Sequence, residues 1–201
     1  MKHLAILVFA MSGITIGEAL RCLECKAEGK TNCPGQSVEC MDKNDFCVTS
    51  IEYDILYGNL TPTIRRGCMN VSKVCDGTIA MNSTGYQLMF HNDCCYTDNC
   101  NSGEIKMPKL NTTGNGLQCP SCFVEGGYEC NSHQPVSCSG NQRDCFIYIG
   151  KGYIPGTGQN KYYYIAGCTT GDTCEFGPLA LVGAEVGVPR ILMCKAAQNM
   201  E

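Results

Sequence analysis

Apolar and polar residues alternate in two long paired runs of this chain, and a period of two marks a strand with one covered face. Residues 48–56 (VTSIEYDIL) and 61–68 (TPTIRRGC) flank YGN, which predicts a β-hairpin. Residues 145–154 (CFIYIGKGYI) and 161–168 (KYYYIAGC) flank PGTGQN, a stronger turn signal that predicts a second. Shorter hairpins are expected between Cys75 and Cys94 and between Cys174 and Cys194. No helical periodicity runs through any window of about twelve residues, so the expected class is all-β.

The first residues follow a different pattern. Lys2 and His3 precede an apolar run from Leu4 to Ala10, and small residues Gly17 and Ala19 fit the −3 and −1 positions of a cleavage site. This predicts a secretory signal peptide over 1–19, too short in its apolar part to span a bilayer. The chain ends KAAQNME, without the apolar tail of a lipid-anchor signal. The expectation is a soluble, secreted, extracellular protein with no membrane anchor.

Secretion changes how the 18 cysteines read. In an oxidising compartment they are expected to form nine bridges and leave no thiol. The numbers of residues between successive cysteines are 2, 7, 6, 6, 20, 6, 18, 0 and 4 from Cys22 to Cys100, then 2, 7, 7, 6, 22, 5 and 19 from Cys119 to Cys194. Agreement over seven gaps identifies two copies of one domain. The predicted layout is a first domain over 20–101, a linker over 102–118 rich in Gly, Asn and Pro, and a second domain over 119–201 that lacks the last cysteine pair. In HNDCCYTDNCN, Cys94 and Cys95 cannot easily bond each other, so each must reach a different partner. Asn101, just beyond, carries an amide able to bond crossing backbone.

The CxxC at Cys22 and Cys25, the CC-x4-CN from Cys94 to Asn101, and about twenty residues between the fifth and sixth cysteines resemble the three-finger (snake-toxin-like) domain of the urokinase-receptor and lymphocyte-antigen family. The resemblance implies the pairs Cys22–Cys47, Cys25–Cys33, Cys40–Cys68, Cys75–Cys94 and Cys95–Cys100. In the second copy it implies Cys119–Cys145, Cys122–Cys130, Cys138–Cys168 and Cys174–Cys194. A secreted pair of such domains is similar to gamma-type phospholipase A2 inhibitors, and also to sodefrin-precursor-like factors.

Catalytic chemistry finds little support. After Cys94 and Cys95 come Tyr96, Thr97 and Asp98, so the histidine base of a secreted phospholipase is missing. No GxSxG elbow is present. With bridges favoured over thiolates, neither CxxC is expected to hold zinc, and no cofactor or metal is expected. A net charge of −4 with mixed signs gives no basic stripe for nucleic acid. Four Asn-x-Ser/Thr sequons, at Asn59, Asn70, Asn82 and Asn111, are candidate glycosylation sites, of which Asn82 and Asn111 are expected to face solvent.

Binding is expected on the loops. Tyr53, Ile55, Leu56 and Tyr57 in the first domain, and Tyr153 and Tyr163 in the second, are the candidate partner-binding residues, although alternate members of a strand also face inward. The apolar third loop of the second domain, GPLALVGAEVGVP, is expected to pack between domains or between subunits. The expected function is therefore a non-catalytic, secreted binding protein. The resemblance implies inhibition of secreted phospholipase A2 by finger-loop contacts, with assembly into a homo- or hetero-oligomer compatible with it. A signalling ligand acting on a receptor, pheromone-like, is the alternative.

Overall fold

The structure is a computed structural model and describes residues 19–75, 77–171, 173–175, 181–187 and 189–199. Apart from Ala19, the expected signal peptide lies outside the described residues, as do 177–180 and Val188 of the apolar third loop. The chain is all-β, disulfide-rich and built from two copies of one domain. No described helix is long and apolar enough to cross a membrane.

Each domain sends out fingers from a disulfide base. In the first, β1 (Arg21–Glu28) pairs with β2 (Gln36–Glu39), β3 (Phe46–Leu56) with β4 (Asn59–Met69), and β5 (Thr78–Ser83) with β6 (Tyr86–Cys95). The central β3 also pairs with β6, and β4 with β1. Leu56 faces Asn59 in the hairpin register, so Tyr57 and Gly58 form the whole turn, with φ of 49° and 85°. Two left-handed residues match the twist of the flanking strands, which explains the tight YGN turn.

The second domain repeats this with β7 (Gly114–Glu125), β8 (Gln134–Ser139), β9 (Gln142–Tyr153) and β10 (Lys161–Thr170). In its third finger β11 (Glu185–Val186) and β12 (Ile191–Ala196) both pair with β9, lying end to end along one edge, while 176–180 of the expected hairpin lie outside the described residues. The stretch expected as a linker is also structured: β7 begins at Gly114, and Ile105 is buried with Ile51 and Ile64 against the outer face of the first domain.

Nine disulfides tie the two bases: Cys22–Cys47, Cys25–Cys33, Cys40–Cys68, Cys75–Cys94 and Cys95–Cys100, then Cys119–Cys145, Cys122–Cys130, Cys138–Cys168 and Cys174–Cys194. Asn101 acts as a side-chain strand at the first base. Its Oδ1 accepts from the Leu23 N–H at 2.9 Å, and its Nδ2 donates to the Leu23 carbonyl at 2.9 Å and the Val48 carbonyl at 3.2 Å. The second base, without the last cysteine pair, uses backbone instead: β13 (Gln198–Asn199) pairs with β7 at Leu117 and Gln118.

The two domains share one sheet and one core. β10 pairs with β7 through residues 163–166, then with β5 of the first domain through residues 167–169. Gly167 makes that seam possible, because a Cβ there would stand 2.0 Å from the Asn82 carbonyl oxygen. The inner faces then meet. Tyr86, Leu88 and Phe90 of the first domain pack with Phe146, Tyr148, Tyr163 and Ile165 of the second in the largest apolar cluster described.

One buried carboxylate fastens the apolar loop into this core. Glu52 on β3 accepts from the Val182 N–H at 2.7 Å and the Ala184 N–H at 2.5 Å, across the domain boundary. Gly183 between them fits because a Cβ would fall 2.8 Å from Glu52 Oε1. Two residues on, the equally buried Asp54 accepts from the Tyr86 hydroxyl at 2.7 Å, while its Oδ2 meets no donor. Burial raises both carboxyls above their ordinary range, Asp54 far more because the Glu52 charge adds to it. The backbone donors favour the charged form of Glu52, whereas the neighbouring Glu52 charge disfavours that of Asp54.

Because folding raises these pKa values, the folded chain binds more protons than the unfolded one above the ordinary carboxylate range. The stabilisation is fully present below about pH 4 and is lost as pH rises through the raised Asp54 value. Asp54→Asn, which removes the titrating group and still accepts from Tyr86, is expected to flatten this decline in denaturation midpoints measured from acid to alkaline pH. Glu52→Ala strands buried N–H donors and is expected to cost about 1–3 kcal/mol, read from the same curves.

Candidate functional site

The fingertips of the two domains are largely spent on each other, which redistributes the residues expected to meet a partner. Tyr163 is corrected first: it is 1% exposed, with its ring 6.1 Å from Phe123 in the shared core. The run Tyr162, Tyr163 and Tyr164 alternates faces, and the middle ring is the one that points between the domains. Tyr153 is half-buried and donates to both Glu28 carboxylate oxygens, at 2.9 and 2.8 Å, so its hydroxyl is used in an interdomain contact. Burial and the Glu28 carboxylate push that phenol up to about 12.

The four residues of the first domain divide by parity along β3. Tyr53 packs on the cluster around Ile51 and Ile64, and Leu56 packs on the shared core. Ile55 is half-buried. Tyr57, at the turn, remains 66% exposed although its backbone N–H donates to the Gly85 carbonyl at 2.8 Å and its ring lies 5.8 Å from Phe123. Gly85 permits this closeness, since a Cβ there would meet the Tyr57 ring at 2.7 Å. The tip of the second finger is thus held still by the third. On the same hairpin Leu60, opposite Ile55, is also exposed, and no sequence argument singled it out. Its position just beyond a two-residue turn was the available signal.

A second surface was also missed. On the outer face of the second domain, Tyr128 and Tyr162 meet edge to face at 5.3 Å, with the Arg190 guanidinium 5.1 Å above the Tyr128 ring. Ile191 and Met193 extend the same face from β12 and are exposed.

Two clusters of polar or sulfur-bearing side chains lie inside the described residues. The Glu52–Asp54 pair is sealed from solvent, and Glu52 accepts from the Val182 and Ala184 backbone while Asp54 accepts from Tyr86. Sulfurs of Cys22, Cys40 and Cys68, and of Cys119, Cys138 and Cys168, cluster within 4.8 Å, but all six belong to disulfides and offer no thiolate. Of the sequons, Asn59 and Asn70 are exposed. Asn82 is half-buried at the domain seam and, with exposed Asn111, lines a groove of about 730 Å³.

Comparison with known proteins agrees with this architecture. A u-PAR/Ly-6 domain is matched at residues 18–103 and again at 115–180. A gamma-type phospholipase A2 inhibitor of Gloydius brevicaudus siniticus is 29% identical over 143 residues, 70% of each chain. Its namesake from Elaphe quadrivirgata is 30% identical over 155 residues, 75% of this chain and 76% of that one. The urokinase plasminogen activator surface receptor of Bos taurus is 30% identical over 170 residues, which cover 77% of this chain and 47% of the receptor. Two domain matches, nine disulfides and a three-finger arrangement lead to one assignment: the chain belongs to the u-PAR/Ly-6 family and is a two-domain binding protein of that family.

Proposed function

We propose that this protein is a secreted, non-catalytic inhibitor of secreted phospholipase A2 that blocks the enzyme by contact. The observation that carries the reading is the similarity, across most of both chains, to proteins named as phospholipase A2 inhibitors. The contact we assign is the tip formed by Tyr57 and Leu60, an aromatic and an aliphatic anchor on a rigid turn. A turn already fixed by Gly58, Gly85 and the neighbouring finger loses little freedom on binding, so more of the contact energy appears as affinity. Occlusion needs no reactive group, in keeping with a sealed carboxyl pair and oxidised cysteines.

Purified mature protein is expected to lower phospholipid hydrolysis dose-dependently in a panel of secreted phospholipases; full activity in every case would falsify the proposal. Tyr57→Ala combined with Leu60→Ala is expected to weaken inhibition at least tenfold, on the order of 1.4 kcal/mol or more, with an unchanged denaturation midpoint. Tyr163→Ala should do the reverse, costing about 3–5 kcal/mol of stability through its core cavity.

A glycan on Asn59 would stand over the same tip. Peptide mapping of the secreted protein is therefore expected to find glycan on Asn111 and none on Asn59. An occupied Asn59 would exclude the tip as the contact.

A further inference from the structure

The internal repeat sets up a comparison between the outer faces of the two domains. Counting from Cys47 and Cys145, Ile51 and Ile149 occupy equivalent positions; counting back from Cys68 and Cys168, so do Ile64 and Tyr164. In the first domain this apolar face is closed, because the chain leaving the domain lays Ile105 and Met107 over Ile51 and Ile64. In the second domain Tyr164 is covered by His133, whose Nε2 lies 3.0 Å from the phenol oxygen. Val124 and Cys130 pack with Tyr164, Ile147 and Ile149, which leaves Ile147 and Ile149 half-buried.

What is left open is a ladder of apolar side chains across neighbouring strands. Ile191 stands opposite Ile149, and Met193 opposite Ile147. Met193 is 55% exposed and Ile191 39% exposed. The Tyr128–Tyr162 pair continues the ladder toward the finger tip under Arg190. Exposed apolar surface of this kind, contiguous across strands, marks an interaction site more often than scattered single residues do.

The charges around it have one dominant sign, although the whole chain carries −4. Side chains alternate faces along a strand, so Lys151 on β9 and Lys195 on β12 share the face of Ile147 and Met193. With Arg190 that makes three exposed cations at the rim. Against them stand exposed Glu129 beside Tyr128, and Glu185 on β11, which is already paired with Lys26 at 3.4 Å. No carboxylate occupies this face on β9, β10 or β12.

We propose that this face of the second domain docks on anionic phospholipid surfaces, with Met193, Ile191 and the Tyr128–Tyr162 pair entering the headgroup boundary and the rim cations meeting lipid phosphates. Each part suits that occupant. Aliphatic side chains gain by leaving water, and tyrosines sit at the headgroup level with ring inward and hydroxyl outward. Lysine and arginine extend their stems along the apolar face and keep their charge at the phosphates. A protein partner is recognised through complementary signs on both sides, whereas a lipid surface presents one sign and takes a rim of the other.

The test is co-sedimentation of the mature, disulfide-intact protein with vesicles of phosphatidylcholine alone and with about one third phosphatidylglycerol. Binding is expected to the anionic vesicles and not to the zwitterionic ones. Met193→Glu is expected to reduce it at least tenfold, and Arg190→Ala and Lys195→Ala roughly fivefold each. Met41→Glu, which places the same charge on an exposed methionine of the first domain, is expected to leave binding unchanged and serves as the folded control. The proposal is overturned by absence of binding to the anionic vesicles, or by equal binding to both kinds. Undiminished binding of Met193→Glu also overturns it, as does a concentration-dependent dimer that Met193→Glu dissolves, which would give the face to a second copy. No phospholipase enters the measurement, so its failure and the failure of the inhibitor reading are separable.

Discussion

The arrangement rests on an apolar layer that belongs to neither domain alone. A three-finger domain is thin, and one face of its sheet is covered only if something is laid on it. Here Tyr86, Leu88 and Phe90 meet Phe146, Tyr148, Tyr163 and Ile165, so each domain supplies the cover for the other. The disulfides constrain each base locally and cannot supply this contact, since every one closes within its own domain. What sets the relation between the domains is therefore burial, with the β5–β10 ladder fixing register and the Glu52 carboxylate fixing the loop.

That division explains why the two copies differ where they do. Glu52 needs donors, and the third finger of the second domain provides them: its backbone turns at Val182, Gly183 and Ala184 to present N–H groups to a neighbour. A regular strand pair would have spent those groups on itself. The change at the second base follows a similar logic. Where the first domain uses Cys95–Cys100 and the Asn101 amide to hold β1, the second uses the β13 backbone to hold β7. The hydrogen-bonding requirement of the first finger's backbone persists when the cysteines do not.

Much of this was legible in the sequence because it is local. Cysteine spacing, alternation and turn residues give the repeat, the long hairpins and the YGN turn, all of which depend on residues close in the chain. The misplaced assignments share a cause. Tyr163 and Tyr153 read as exposed because a strand pattern tells which residues share a face and not what that face meets. The same ambiguity hid Glu52 and Asp54, which look like solvated acids in VTSIEYDIL until Val182 and Ala184 arrive from 130 and 132 residues away. Residues 102–118 read as linker because sparse apolar residues such as Ile105 and Met107 gain meaning only from the face they land on.

What a face meets also separates the features the two domains share from those that are their own. Both carry an apolar inner face and an apolar outer face on their central hairpin. The inner faces cover each other, so the requirement on them is fit. The outer faces meet different fates through neighbouring segments: one receives Ile105 and Met107, while the other receives a ring of cations and two tyrosines. A basic rim would gain nothing around a closed apolar face, and an apolar centre would be a liability without one, because uncharged exposed ladders invite self-association. Their occurrence together on one exposed face of the described residues, in a chain of negative net charge, is the combination that a surface left over from packing would not require.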